Sequence, residues 1–131
     1  MTKRRSDIPL PTAAELRILQ ALWHLEEATV EQIVTSSPPK ERPNYKTVQA
    51  FLRIMEQKGF VTHRVEGKVF VFAPLVGREQ INRRSVERLL KDHFAGSASG
   101  LLINLLNSDS VAEGELDRLE ELIKQRKGRK P

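Results

Sequence analysis

Lys46, Gln49, Arg53 and Gln57 stand three or four residues apart in the segment NYKTVQAFLRIMEQK, a spacing that stacks them along one side of an α-helix. Their shared chemistry suits a nucleic-acid duplex. The Gln49 amide can present a donor and an acceptor together to an adenine edge, and the Arg53 guanidinium can fork onto guanine or a phosphate. Lys46 is a point charge for backbone or base, the Thr47 hydroxyl and methyl suit a phosphate or a thymine, and the Tyr45 hydroxyl can donate to a phosphate, packing of its ring against the domain being the alternative. Val48, Phe51, Leu52 and Met55 fall on the opposite side and predict its core contact. Glu56 is the only carboxylate between Asn44 and Lys58, whereas an ordinary solvated helix intersperses Glu with its Lys and Arg to gain i,i+4 pairs. Adding Arg42 and Asn44 just upstream, and Arg64 and Lys68 downstream, completes the candidate DNA-binding set. Over residues 40 to 68 seven cations face three carboxylates, so the basic excess is local to this surface.

These side chains need elements to hold them. Thr12 to Glu15 reads T-x-x-E, a capping box, and Leu16, Leu19, Leu22 and Trp23 follow at helical spacing, which predicts a first helix over about 12 to 25. A second box, Thr29 to Gln32, opens a shorter helix carrying Val30, Ile33 and Val34, stopped by Ser36, Ser37, Pro38 and Pro39. Asn44 is a good N-cap for the third helix and Gly59 its stop. Beyond it the period becomes two: Val61, His63 and Val65 lead to Glu66-Gly67, read as the turn, and Lys68, Phe70 and Phe72 return on the matching face. The expectation is a mainly α protein with a small β-hairpin, an N-terminal winged helix-turn-helix domain over residues 10–76 after a flexible basic arm at 1–9.

Residues 77–124 read as a helical dimerisation region and 125–131 as a basic, disordered tail. Residues 78 to 94 form one helix, Gly96 and Gly100 bracket a break, Leu101 to Leu106 form a short apolar helix, and a third capping box at Ser110 to Glu113 opens the last one. Helices this short lack an enclosed core. Leu89, Leu101, Leu102, Leu105, Leu106, Leu116, Leu119 and Ile123 are the candidate dimerisation residues, buried most economically against a second copy. Folding back on the first domain is the alternative.

The bulk properties narrow the class. The chain has 131 residues and a formal net charge of +5, a balance that favours polyanionic partners. It has no cysteine, which excludes disulfides and thiolate metal sites; His24, His63 and His93 lie far apart, and no metal or cofactor is expected. No apolar run of membrane-spanning length or signal segment is present, so the expectation is a cytoplasmic protein without stable membrane association. No glycine-rich phosphate loop and no nucleophile context point to an enzyme. A winged-helix adaptor that binds proteins is the alternative function class; the scarcity of acid on the third helix and wing favours DNA.

The residues Leu10-Pro11-Thr12-Ala13-Ala14-Glu15, Trp23, Tyr45-Lys46-Thr47-Val48, Leu52 through Val61, His63 and Phe70-Val71-Phe72-Ala73-Pro74 together resemble the penicillinase and methicillin-resistance repressors, the BlaI/MecI family with its copper-responsive CopY relatives. The similarity runs from about residue 9 to 124. It implies a homodimeric winged-helix repressor that occupies a palindromic operator and occludes a promoter. It also implies release by a sensor peptidase or its activated partner, which in such relatives cuts the dimerisation helices between Asn and Phe. Asn104-Leu105 is the best match here, with Leu in place of Phe, so a member with another inducer is the competing expectation. The cysteine cluster of the copper-responsive relatives is absent.

Overall fold

The computed structural model describes residues 9–129; the basic arm expected at 1–9 lies almost wholly outside the described residues, as does the end of the tail. The order is α1 (Ala13–Leu25), α2 (Val30–Thr35), a 3-10 turn (Pro39–Glu41), α3 (Tyr45–Lys58), β1 (Val61–Glu66), β2 (Val69–Pro74), α4 (Arg78–Phe94), α5 (Ala98–Leu106) and α6 (Glu113–Gly128). Contacts divide it into two units that meet inside α4, one through Ser85 and one from Val86.

The first unit is a winged helix. Both capping boxes predicted for it form. Thr12 Oγ1 accepts from Glu15 N while Glu15 Oε1 accepts from Thr12 N, and Thr29 and Gln32 repeat the exchange at α2. Each box satisfies two otherwise orphaned donors at a helix start. The apolar stripes meet in one core: Leu19 and Leu22 from α1, Ile33 from α2, Val48, Leu52 and Met55 from α3, then Phe60, Phe72, Val76 and Ile81. Full burial of a side chain of this size contributes about 1.5–3 kcal/mol. The core thus takes in the first turn of α4, and Trp23 clasps it by donating from Nε1 to Val76 O at 2.8 Å, with Arg78 stacked over its ring.

The helix ends differ in cost. Gly59 closes α3 at φ 91°, where a glycine carries no Cβ penalty. Glu26 closes α1 at φ 73° and ψ −48°, a region that L side chains rarely adopt. Glu26→Gly is therefore expected to stabilise the protein by about 0.5–1 kcal/mol, read as a raised midpoint in denaturant titration; a lowered midpoint would show that the glutamate contributes more than its backbone costs.

The hairpin departs from expectation at its tip. Glu66 pairs with Val69, so the two-residue turn is Gly67–Lys68 rather than Glu66–Gly67. Gly67 takes the first turn position at φ 66°, where a positive φ is required; Glu66 there would be strained. The pairing shifts by two residues, which preserves sidedness: Val65 faces Phe70 and His63 faces Phe72. A third segment joins on the other edge of β2, since Ala28 exchanges both backbone hydrogen bonds with Phe72, at 2.9 and 2.8 Å.

In the second unit α5 begins at Ala98, capped by Ser97, whose hydroxyl accepts from Gly100 N at 2.9 Å. Gly100 thus lies inside the helix, and the break falls at Ala95 and Gly96, both at positive φ. The capping box expected at Ser110 to Glu113 does not form: Ala112 occupies the N-cap without a side-chain bond, and Ser110 N donates instead to Ser108 Oγ. α6 continues through Gly128, so residues 125 to 128 are helical rather than an irregular tail. Arg126 and Lys127 in its last turn complement the helix dipole, as Glu113 and Glu115 do in its first. From Val86 to Arg129 no residue is buried.

Candidate nucleic-acid interface

The Val48, Leu52 and Met55 stripe roots α3 in the core, which turns Lys46, Gln49, Ala50, Arg53 and Gln57 to solvent. Their side of the helix is continuous with the wing. Tyr45, Gln49, Arg53 and Glu56 form one wall of a groove of about 630 Å³ whose other wall is His63, Lys68, Val69 and Phe70, with Thr29 and Glu31 of α2 at its end. Tyr45 is half exposed and lines this groove rather than filling the core. Thr47 lies round the helix, beside the shallow exposed surface of Lys46, Ala50, Phe51 and Ile54.

The wing wall is braced by side-chain contacts. His63 stacks on Phe70 at 4.3 Å between centroids, packs against Phe72, and its Nδ1 lies 2.6 Å from Glu56 Oε1 on α3. That contact engages the only carboxylate of α3. Among the described residues, none of Lys46, Arg53 and Lys68 has a carboxylate partner. They therefore present charge that a phosphate can meet without first displacing an acid.

Other predicted residues are brought to the surface but are already engaged. Asn44 Oδ1 caps α3 by accepting from Lys46 N at 2.8 Å, and Arg42 donates from Nε to Ser37 O at 3.1 Å, which fixes the turn before α3. Arg64, which the candidate set places with Lys68 on the wing, donates to Glu27 at 2.6 and 3.0 Å and to Glu66 at 2.6 Å. Its hydrogen bonds hold the Glu27 carboxyl below the usual carboxylate range, and the two acids raise the guanidinium in turn. Strand alternation carries the reason: His63, Val65 and Lys68's neighbour Phe70 take the groove side, while Arg64 takes the other.

Lys58, one of the seven cations of this region, is also spent. It reaches Glu15 Oε2 at 2.9 Å, and Glu15 is the one buried charged residue of the described chain. Burial pushes the Glu15 carboxyl up, but the Thr12 backbone bond and the Lys58 bond and charge outweigh it, and the group sits below its ordinary 4.5. Sequence reasoning recognised Glu15 as a cap; its second partner, 43 residues away, leaves no local signal.

The candidate dimerisation residues all lie on helices of the second unit, within which Leu89, Leu105, Leu106, Leu116 and Ile123 are exposed and Leu101, Leu102 and Leu119 half-buried. Asn104 is exposed inside α5, two residues before its end. Among the described residues no cluster of His, Asp or Glu could hold a metal, and no helix is long and apolar enough to cross a membrane.

Comparison with known proteins bears on the fold described above. The family model described as penicillinase repressor matches residues 11–125. The penicillinase repressor of Bacillus licheniformis is 24% identical over 123 residues, which span 94% of this chain and 96% of that protein. The methicillin resistance regulatory protein MecI of Staphylococcus aureus strain N315 is 17% identical over 115 residues, 88% of this chain and 94% of that one. Among solved structures, the DNA binding domain of the repressor BlaI superposes with a TM-score of 0.50 at 26% identity, covering 61% of this chain and 93% of that domain.

Proposed function

The chain belongs to the penicillinase repressor family and is a DNA-binding transcriptional repressor, and from that premise we propose that it works as a homodimer on a palindromic operator, released by an inducing signal that acts on the dimer. The observation that carries the reading is the acid-free outer face of α3 opening onto the wing groove. α3 lies in the major groove, where Gln49 and Arg53 read base edges and Lys46 and Tyr45 steady the backbone; Lys68 at the turn of the wing reaches a flanking phosphate row. Asn44 and Arg42 act one step back, by fixing the start of α3.

Two copies are joined through the second unit, whose exposed leucines have no covering core of their own. Two half-site contacts linked in this way act at high effective concentration, and anything that separates the copies removes that gain without touching the DNA-binding surface. A peptidase cutting between Asn104 and Leu105 would do so. Because that bond lies in the last turns of α5, cutting requires local opening of the helix. Exposing the purified protein to an activated sensor peptidase and mapping the fragments decides between proteolysis and an inducer that leaves the chain whole.

The test of base reading is a pair of substitutions on an operator selected from genomic fragments. Gln49→Ala is expected to cost about 1–3 kcal/mol on the operator and to relax preference at one base pair, whereas Lys68→Ala weakens all duplexes alike and lowers the salt slope by about one. The reverse pattern would remove α3 from the groove.

A further inference from the structure

We propose that Arg64 is a positioning residue that sets the pose of the wing over DNA through Glu27, and that it does not itself contact the nucleic acid. The inference rests on the DNA-binding reading above and refines its site. The guanidinium meets Glu27 as a fork, Nη1 to Oε2 at 2.6 Å and Nη2 to Oε1 at 3.0 Å, and Nη2 also donates to Glu66 at 2.6 Å. Such bidentate pairs fix orientation as well as distance. Glu27 immediately precedes Ala28, which is bonded to Phe72 on the edge of β2 opposite β1. The ion pair therefore spans β2 from one flanking segment to the other, across the side on which Val71 is buried. A DNA phosphate offered to Arg64 would have to displace two carboxylates that together outweigh its charge.

The groove side is braced separately, by His63 against Glu56. The wing is thus held on both faces, to the α1–α2 link by Arg64 and to α3 by His63. Lys68 reaches its phosphate from a fixed platform, and less ordering has to accompany binding. The specificity of this reading is that Arg64 and Glu27 act as one unit although their charges are opposite.

The experiment uses the full-length protein on operator and random duplexes over a salt series, with thermal melting of each variant to establish folding at the assay temperature. Arg64→Ala and Glu27→Ala are each expected to weaken operator binding by about 3- to 10-fold with the salt slope unchanged, because ordering is lost and no phosphate contact is. The exchange of the pair, Glu27→Arg with Arg64→Glu, made together with Glu66→Gln so that no second carboxylate crowds position 64, is expected to bring affinity back to within about twofold of the Glu66→Gln protein, by restoring the constraint with its charges reversed. The proposal fails if Arg64→Ala lowers the slope by about one while Glu27→Ala tightens binding, the signature of a direct phosphate contact. It fails equally if both single variants bind like wild type or if the exchange rescues nothing. A wild-type protein without salt-dependent duplex binding would instead overturn the DNA reading, which separates the two failures.

Discussion

Leu119→Asp is expected to turn the protein into a monomer on sedimentation and to weaken operator binding by about 10²- to 10⁴-fold, the gain that joining two half-sites supplies. Leu116, Leu119 and Ile123 fall on one line of α6, at i, i+3 and i+7, and Leu116 and Ile123 are exposed. A helix with leucines in water and nothing buried between Val86 and Arg129 gains little by standing alone. A carboxylate placed on that line would be desolvated without a partner in any helix-to-helix contact, a cost larger than the loss of the leucine itself. Binding of the variant to a single half-site should stay near that of wild type, since α3 and the wing belong to the other unit. An unchanged dimer would remove α6 from the interface, and a monomer with full operator affinity would remove dimerisation from the mechanism.

Glu15→Ala carries the second large effect, a loss of about 2–4 kcal/mol in denaturant unfolding. The lost half of the capping box, the bond that Thr12 N donates to the carboxylate, accounts for about 0.5–1.5 kcal/mol and the charge-assisted Lys58 bond for about 1.5–3 kcal/mol. Lys58 is one-third exposed and can turn to water, so the cost stays below that of an orphaned buried charge. The same group makes stability depend on pH. Its folded-state pKa is depressed below 4.5, so the unfolded chain takes up a proton at higher pH than the native one. The contribution is fully present above the unfolded value and is lost as pH falls from about 5 through the native pKa. Glu15→Gln should flatten the stability curve in that window and change little at neutral pH beyond the lost pair; a curve identical to wild type would show that other acids govern it.

What the sequence made legible followed from local rules. The capping boxes at Thr12 and Thr29, the stripe of Val48, Leu52 and Met55, the stop at Gly59 and the span of α4 are set by neighbours within one or two turns, and each appears where its spacing places it. The outer face of α3 was readable for the same reason, because a helix rooted by three residues has only one side left. The partners of Arg64, Lys58 and Glu56 were not. Each is set by a residue brought alongside by the fold, so a count of positive charge gave the basic character of the region correctly while overstating how many cations stand ready for phosphate. Alternation alone separates Arg64 from His63 and Phe70, and that signal was present in the strand. Ser110 shows the opposite limit: its capping pattern was intact, yet the chain starts α6 two residues later, with two acids in the first turn serving in place of the cap.

The pairing of Ala28 with Phe72 has a consequence for solubility. It covers the edge of β2 at Phe72, which leaves β1 as the longer open border of a sheet whose tip shows Val65, Val69 and Phe70 to water. An uncovered ribbon of that composition would invite strand addition from other molecules. The β1 border is six residues long and bears His63, Arg64 and Glu66, so a passing strand meets charge along a short, occupied rim, and copies of the chain are kept from pairing through the wrong element.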